Sequence, residues 1–559
     1  RSGPCRQAAL DRESVMKRLL FLGLAVIAAG VAWYQAGTPP HPLARLFPNG
    51  ALLYLEAKDF SRLLNDWNRS GVKQDWLGSA NFSEFERSNL YVKLNAVYQA
   101  YGAAAGFNPD MATLLSLAGD QSALALYDLQ HVQFAYVTRL PESRAAQTRL
   151  WLSRRSFSTR EASGLTFYVR SAQDSTVAFA AANGYLLVAT GEERMAGMLG
   201  LLGGKNTANI AEEGWYKQPT EAAGNPADLR LVMNLENLVA GSYFRSYWVQ
   251  RNVSEVRHYL SGVADIQRSP AEIREKRIFF KRLGLSEEIP DAEALTAASS
   301  LVPLAPDDAG LYRVWAKPLV SDVESLLEGH IFNPHATDDA QPHYAPQEEQ
   351  SANAGSEADL ETRIDEPPLP KPGSQPSLSS ILLAQNEIVA MLQVQSSKLR
   401  PGATFLSLPC AVAILNRNPW DAQTIQNVIG ESWTDRTAGA YHLYQQANLG
   451  RISFAVDGPL LVIANDADLL QSILNRPRTQ APAFDATYTA TFRHARERAN
   501  YDRLATALDF GPSQAGQQPS FFSANIASLS AALRWVNRIT LTERARPDRV
   551  EQTIIYGIQ

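Results

Sequence analysis

The sequence predicts an α+β fold, in which helices pack on an antiparallel sheet. Residues 122–129 and 165–171 read as strands, and residues 165–171 alternate apolar and polar side chains, as half-buried strands do. Asn183-Gly184 and Asp457-Gly458 each separate two apolar runs, and such dipeptides favour two-residue hairpins. Hairpins this short join antiparallel strands, whereas parallel strands need long crossovers. We therefore expect an antiparallel sheet with helices on one face, and not a doubly wound parallel sheet.

Two parts of the chain resemble each other, and this self-similarity predicts a tandem duplication. Residues 179–202 and 454–477 both read as strand, tight turn, strand and amphipathic helix. Residues 263–282 and 539–558 match as strand, turn and strand at an offset of 276. The single-residue matches pair Tyr54 with Tyr312, Phe134 with Cys410, Phe157 with Trp433, and Tyr168 with Tyr444. The predicted copies span residues 40–290 and 300–559.

A segment of biased composition interrupts the second copy. Residues 334–378 hold eight prolines, one aromatic residue, nine acidic residues and two basic residues. Such a segment buries too little apolar surface to offset its ordering entropy, so we expect it to be disordered. In the first copy, residues 82–107 occupy the same place, and their apolar residues recur at helical spacing. The second copy is expected to replace those helices with the insertion.

The amino-terminal part of the chain has the pattern of a targeting segment. Met16 is followed by Lys17, Arg18 and an apolar run over residues 19–36. A short basic stretch before an apolar run is typical of a signal peptide or of a single membrane anchor. We expect Met16 to be the true start, and residues 1–15 to be a mis-extended reading frame.

Both fates of residues 16–36 have support in the sequence. Trp33 and Tyr34 suit the membrane interface at the end of a retained helix, whereas residues 30–32 offer a small-x-small cleavage site. We favour retention in the inner membrane as a single-pass anchor. Because Lys17 and Arg18 stay on the cytoplasmic side, the bulk of the chain is then periplasmic.

Composition and charge exclude several classes of protein. The chain has 559 residues, of which 45% are hydrophobic and 19% are charged, as in folded proteins with a sizeable core. The net charge of −5 provides no field for binding phosphate backbones, so we expect no nucleic-acid partner. The nine acidic and two basic residues of 334–378 give that segment alone a net charge of −7, and an electrostatic partner is therefore expected there.

The chain lacks the linear motifs of common enzymes. Residues 197–207 resemble a phosphate-binding loop, but Asn206 replaces the Ser or Thr that would hold magnesium. There is no G-x-S-x-G elbow, no H-E-x-x-H and no C-x-x-C in the sequence. Cys410 begins a predicted strand, where a small buried thiol is the expected role. We predict no catalytic residue, no cofactor and no metal site.

One stretch combines aromatic and arginine side chains as binding hot spots do. Its residues are Tyr243, Phe244, Arg245, Tyr247, Trp248 and Arg251. Packing in the core or between the copies is the alternative role for them. If the first copy binds a protein partner, we expect these residues to contact it.

The order of these elements resembles the bacterial domain of unknown function 3352 family of exported, membrane-anchored envelope proteins. The resemblance rests on the early element of residues 48–64, the hairpin around Asn183-Gly184 with its following helix, and the amino-terminal membrane segment. It covers the first copy well and the second copy more weakly. It implies an envelope location and this architecture, and it transfers no catalytic residue.

The leading hypothesis is a non-enzymatic scaffold or binding module, exported and anchored in a bacterial envelope, with an envelope protein as a possible partner. Two alternatives stay open. One is an exported hydrolase whose site uses scattered residues, and the other is a periplasmic solute-binding or cell-wall-binding protein.

Overall fold

The computed structural model describes most of the chain. The described residues are 42–87, 89–172, 175–205, 208–241, 256–282, 289–332, 377–384, 387–398, 408–430, 432–438, 441–447, 452–476, 485–500 and 533–558. We call residues 42–282 the first half and residues 289–558 the second half. Within the described ranges, no helix is both long enough and apolar enough to cross a membrane. Residues 1–15 and the predicted anchor at 16–36 lie outside them.

The first half contains ten strands and ten α-helices among its described residues. The strands are β1 (Leu53–Lys58), β2 (Gln121–Asp128), β3 (Gln133–Arg139), β4 (Ser158–Ala162), β5 (Leu165–Ala172), β6 (Ser175–Ala182), β7 (Tyr185–Thr190), β8 (Leu229–Met233), β9 (Tyr259–Arg268) and β10 (Glu272–Lys281). The helices are α1 (Phe60–Arg69), α2 (Gly71–Leu77), α3 (Ala80–Arg87), α4 (Asn89–Ala105), α5 (Met111–Leu117), α6 (Glu142–Ala145), α7 (Arg149–Leu152), α8 (Glu192–Leu202), α9 (Gly214–Ala223) and α10 (Leu235–Ala240).

The described residues of the second half add ten strands and further helices. The strands are β11 (Ala309–Ala316), β12 (Ile388–Ser396), β13 (Cys410–Asn416), β14 (Trp433–Ala438), β15 (Tyr441–Gln446), β16 (Ser453–Asp457), β17 (Leu460–Ala464), β18 (Tyr488–Phe492), β19 (Val536–Ala545) and β20 (Arg549–Ile558). The helices are α11 (Ala292–Leu301), α12 (Val320–Leu327), α13 (Leu378–Leu383), α14 (Ala422–Ile429) and α15 (Ala467–Leu474), and residues 494–500 are also helical.

The strands form one antiparallel sheet, and its two halves have the same strand order. In the first half the order is β4-β5-β6-β7-β3-β2-β1-β8-β9-β10. In the second half it is β14-β15-β16-β17-β13-β12-β11-β18-β19-β20. The α+β class and the antiparallel sheet are therefore as the sequence predicts.

The last strands of the two halves pair with each other and make the sheet continuous. On β10 and β20, Lys276 is opposite Thr553, Arg274 is opposite Ile555, and Ile278 is opposite Glu551. The hairpins β9–β10 and β19–β20 close at positions 277 residues apart, since Arg268 pairs with Ile273 and Ala545 pairs with Val550. For these two hairpins the predicted offset of 276 is one residue too short. With the corrected offset, the pairing of β10 and β20 is symmetric about the Lys276–Thr553 pair.

An aromatic cluster recurs in the two halves with the same geometry. In the first half, Tyr168 stacks on Phe179 with centroids 5.2 Å apart, and Phe157 meets Phe179 edge-on at 5.1 Å. In the second half, Tyr444 stacks on Phe454 at 4.9 Å, and Trp433 meets the same ring edge-on at 5.0 Å. Edge-on and offset-stacked rings are the favoured arrangements of aromatic pairs.

Helices cover both faces of the sheet, which corrects the expectation of helices on one face. We call face A the face to which Lys276 points, and face B the opposite one. On face A, Met198 and Leu199 of α8 pack with Tyr54 and Leu187 in one core. On face B, Ala104 of α4 packs with other residues of the same hairpin strands in a separate core. The second half also has two cores, one with α11 and α15 and one with α12, α13 and α14.

The two predicted hairpins use different turns. Asn183 and Gly184 both have positive φ, 53° and 79°, and they join β6 to β7 as predicted. In the second half Asp457 pairs directly with Leu460, so the central residues are Gly458, with φ of 55°, and Pro459. The prediction placed this turn one residue too early. A glycine with positive φ at the first central position followed by proline fits a type II′ turn.

Two boundaries also differ from the sequence analysis. Ser377 caps α13 and Leu378 is its first residue, so the insertion predicted over residues 334–378 cannot extend to its last two positions. Residues 334–376 lie outside the described ranges. Helix α11 begins at Ala292, before the predicted start of the second copy at residue 300, and it packs in the same core as β11 and β12.

Candidate functional site

Charged side chains form one row across neighbouring strands of the first half. Glu56 on β1 is opposite Arg230 on β8. Asp265 on β9 lies between Arg230 and Lys276, which is on β10. Residues directly opposite each other in an antiparallel pair point to the same face of the sheet. These four residues therefore alternate in charge along face A, and we call them the charged row.

A buried ion pair lies at the centre of the charged row. Nε and Nη2 of Arg230 donate to the two carboxylate oxygens of Asp265 at 2.7 and 2.5 Å. The two residues are only 4% and 8% exposed. Bidentate pairing satisfies both carboxylate oxygens, and each charge compensates the other in a site that is largely shielded from water. Removal of either partner would therefore leave the other charge buried without compensation and would destabilise the fold.

Glu56 ends the charged row beside the apolar core. It is buried, and it accepts hydrogen bonds from Tyr54 Oη at 2.9 Å and from Gln121 Nε2. Burial raises the pKa of Tyr54 well above its ordinary value, and the charge of Glu56 raises it further. The Tyr54 phenol consequently stays protonated and donates to the carboxylate.

A polar cavity of about 260 Å³ lies beside the charged row. Face A of the sheet forms its floor, and the loop after α9, residues 223–228, forms its wall. Gly224 ends α9 with φ of 74°, a conformation that glycine adopts without a steric cost. The polar side chains of the lining are Lys58, Asn225, Asp228, Asp265, Gln267, Arg274 and Lys276.

The carboxylates of the cavity already interact with other groups. Both oxygens of Asp265 are held by Arg230. Asp228 Oδ2 accepts the backbone N–H of Arg268 at 2.9 Å, and its Oδ1 lies 3.7 Å from Nη2 of Arg62. The negative charges of the lining are therefore largely neutralised within the protein.

The lysines of the cavity are in the opposite situation. Lys58 and Lys276 are both exposed, and within the described ranges neither ammonium group has a hydrogen-bond or ion-pair partner. Arg274 donates to Glu272 Oε1 at 2.8 Å. The charged groups of the cavity that remain free to bind a ligand are thus cations.

The corresponding row of the second half carries no charge. Thr489 is opposite Val314 and Thr542, and Thr542 is opposite Thr553. These positions correspond to Arg230, Glu56, Asp265 and Lys276 in strand order. The cavity and its lysines are therefore a property of the first half, and the strand order alone does not produce them.

The second half instead buries polar side chains that belong to the helix of residues 494–500. His494, Glu497 and Asn500 are 0%, 3% and 2% exposed. Asn500 Nδ2 donates to Glu497 Oε2 at 2.7 Å, and burial raises the pKa of Glu497. The corresponding helix of the first half, α10, buries Leu235 and Leu238 at the positions of His494 and Glu497.

A second groove, of about 580 Å³, lies on the second half between α11 and the ends of β12 and β13. It is mainly apolar, and Arg417 lies in its lining. Arg417 contacts Glu387 at 2.6 Å and Glu293 at 3.0 Å, and all three side chains are exposed. Such exposed pairs contribute little free energy. We assign this groove no ligand.

The structure tests only some of the predicted sites. The six predicted partner-binding residues, Tyr243 to Arg251, lie outside the described residues. Cys410 is 3% exposed and burial raises its pKa to about 12, so the prediction of a buried thiol is confirmed. His131 and His442 lie on the surface beside Asp128 and Asp435. Among the described residues, no three His, Cys, Asp or Glu side chains are grouped closely enough to hold a metal ion.

Sequence analysis did not find the charged row, because its members are far apart in the chain. The alternation of β9 gave no signal either, because Ser261, Asp265 and Gln267 share one face of the strand and Ala264 and Ile266 share the other, a pattern typical of a strand with a solvated polar face.

Comparisons with known proteins add no function. No family model and no curated protein matches the chain. Among solved structures, crystal forms I and IV of TP0453 each align with 44% of this chain and 82% of their own, at 12% identity and a TM-score of 0.25. Crystal form III aligns with 45% and 83%, at the same identity and TM-score. A TM-score this low supports no argument about fold or function.

Proposed function

We propose that this protein is an exported, membrane-anchored envelope protein of the domain of unknown function 3352 type, and that its duplicated body is a non-enzymatic binding module. The identical strand order of the two halves and the repeated aromatic cluster support a duplication. The basic pair and apolar run at residues 17–36 support an anchor.

The observation that carries the binding role is the contrast between the halves on one continuous sheet. Pairing of β10 with β20 joins the halves through nine backbone positions. Yet the first half has free lysines over a polar cavity at a row where the second half has only Thr and Val. A folding role does not require this difference, because the second half folds into the same strand order without it. A ligand or partner of the first half would explain it.

Site-specific photo-crosslinking in cells tests the binding role. A photoreactive residue replaces Gln267, which lines the cavity, and in a matched variant it replaces Arg544, which is at the corresponding position of the second half. Both side chains are exposed on strand ends. We expect an adduct with an envelope component at position 267 and none at position 544. Equal adducts at both positions, or none at either, would contradict the proposal.

The anchor is tested separately by fractionation. We expect the full chain to stay with the inner membrane under alkaline extraction, and a variant without residues 16–36 to be absent from that fraction. The mass of the mature protein tells whether these residues are retained. Recovery of a shortened chain from the soluble periplasm would refute retention.

The aromatic and arginine residues at 243–251 are a second proposed contact of the same module, with an envelope protein as the partner. Aromatic and arginine side chains supply most of the binding free energy at protein interfaces. We expect Trp248→Ala and Arg245→Ala to weaken capture of a partner identified by crosslinking while the melting temperature is unchanged. A lowered melting temperature with unchanged capture would favour a packing role.

A further inference from the structure

We propose that the cavity of the first half binds a small ligand with two anionic groups, one held by Lys58 and the other by Lys276. The ligand chemistry is that of a molecule with two phosphate groups. This inference rests on the proposed binding role and names the ligand class of that site.

The sign of the ligand follows from the partners within the cavity. Asp265 is saturated by Arg230, and Asp228 is held by the N–H of Arg268 and faces Arg62. The two lysines have no partner in the described chain. An anion would therefore meet unpaired ammonium groups, whereas a cation would have to displace an existing ion pair.

The number of anionic groups follows from the sheet. Lys58 is on β1 and Lys276 is on β10, with β8 and β9 between them. Three strand spacings separate their backbones by roughly 14 Å, so the two ammonium groups approach the cavity from opposite sides. Two separate anionic groups match this arrangement better than one compact ion does. The amides of Asn225 and Gln267 lie in the lining and can donate to the ligand between the lysines.

The size of the cavity limits the ligand. About 260 Å³ is slightly below the range of roughly 300–1,000 Å³ that is usual for sites of drug-sized molecules. The cavity therefore fits a small free molecule with two anionic groups, or the headgroup of a larger envelope lipid. The proposed chemistry is the same for both sources.

Calorimetric titration of the purified full chain tests the proposal, with inorganic pyrophosphate and orthophosphate as probes at equal ionic strength. We expect pyrophosphate to bind about tenfold more tightly than orthophosphate, because only pyrophosphate has two anionic groups, one for each lysine. Lys58→Met and Lys276→Met should each weaken pyrophosphate binding by about tenfold, the loss expected for one charge-assisted contact. Lys58→Arg and Lys276→Arg, which keep the positive charge, should retain most of the pyrophosphate affinity.

Lys217→Met is the matched control, because Lys217 is exposed on α9 and lies outside the cavity lining. It should leave pyrophosphate binding unchanged. All lysine variants should keep the melting temperature of the wild type, since the replaced side chains are exposed. Flotation with vesicles of a two-phosphate lipid, cardiolipin, or a one-phosphate lipid, phosphatidylglycerol, distinguishes a headgroup from a free ligand. Lysine-dependent binding to cardiolipin vesicles indicates that the ligand is a lipid headgroup. Binding of pyrophosphate alone indicates a soluble ligand with two anionic groups.

The proposal is overturned if neither pyrophosphate nor cardiolipin binds, if orthophosphate binds as tightly as pyrophosphate, or if binding survives the loss of either lysine. The crosslinking result is independent of these measurements. An adduct at position 267 without binding of either probe would leave the binding module in place and refute the ligand with two anionic groups.

Discussion

The two halves of the sheet have the same strand order, but they bury their polar groups in different places. In the first half these groups lie on the strands, where Arg230 and Asp265 pair on face A. In the second half they lie on the helix of residues 494–500, where Glu497 and Asn500 are buried. Each half is apolar or uncharged where the other is polar. The comparison teaches that the backbone ladder of this fold tolerates either arrangement.

Each arrangement has a local compensation that the other half lacks. Arg230 and Asp265 compensate each other's charge. Glu497 instead has space beside Gly310 on β11, where a Cβ atom would lie 2.6 Å from its Cδ and overlap Oε1. The corresponding position of the first half is Leu52, next to the helix that buries Leu235 and Leu238.

The largest expected effect comes from breaking the buried pair of the first half. Arg230→Thr leaves the Asp265 carboxylate buried without a counter-charge, and we expect a loss of about 3–5 kcal/mol in the free energy of unfolding. The double variant Arg230→Thr/Asp265→Thr installs the residues of the second half, and it should recover most of that loss. Urea unfolding of the full chain, followed by circular dichroism, measures both.

Thr489→Val, at the position of Arg230 in the second half, is the control for this pair and should cost about 1 kcal/mol or less. A double variant that is as unstable as Arg230→Thr would show that the charged row is required for the strands themselves. The two rows would then not be interchangeable.

A smaller effect is expected at Gly310. Gly310→Ala places a methyl group against Glu497, and we expect a loss of about 1–3 kcal/mol from overpacking. Glu497→Ala in the same chain removes the clash, so the double variant should be more stable than the sum of the two single changes predicts. Thermal unfolding measures the coupling. Additive effects would mean that Gly310 does not serve to accommodate Glu497.

The smallest effect concerns the pH dependence of the second half. Burial raises the pKa of Glu497, so ionisation of this carboxyl disfavours the folded state. Its destabilising contribution is absent below the unfolded pKa of about 4.3, grows as pH rises to the folded value, and is constant above it. Glu497→Gln should therefore stabilise the protein at pH 7, by an amount on the order of 1 kcal/mol, and should have little effect at pH 4.

Glu221→Gln is the matched control, because Glu221 is an exposed carboxylate near the end of α9. Its effect should be small at both pH values. Stabilisation by Glu497→Gln that is equal at pH 4 and pH 7 would show that the gain does not come from removing a charge.

Local patterns predicted much of the fold and little of the candidate site. The hairpin at Asn183-Gly184 and the matched rings Tyr168 and Tyr444 are set by residues close in the chain, and they could be found there. The charged row could not, because Glu56, Arg230 and Asp265 become neighbours only through strand pairing. The offset between the hairpins β9–β10 and β19–β20 was wrong by one residue for a related reason. Their register is defined by hydrogen bonds across each hairpin.

The antiparallel α+β class, the resemblance between the two halves and the pattern of a targeting segment before them were all predictable from the amino-acid sequence. These properties follow from alternation, turn residues and composition, which act over short stretches of chain. Only the tertiary structure decided that β10 pairs with β20 and that helices cover both faces. Edge strands pair through backbone groups that are common to nearly all residues, so no side-chain pattern predicts which edge strands will pair. The pairing of β1, β8, β9 and β10 likewise decides which charges meet beside the cavity.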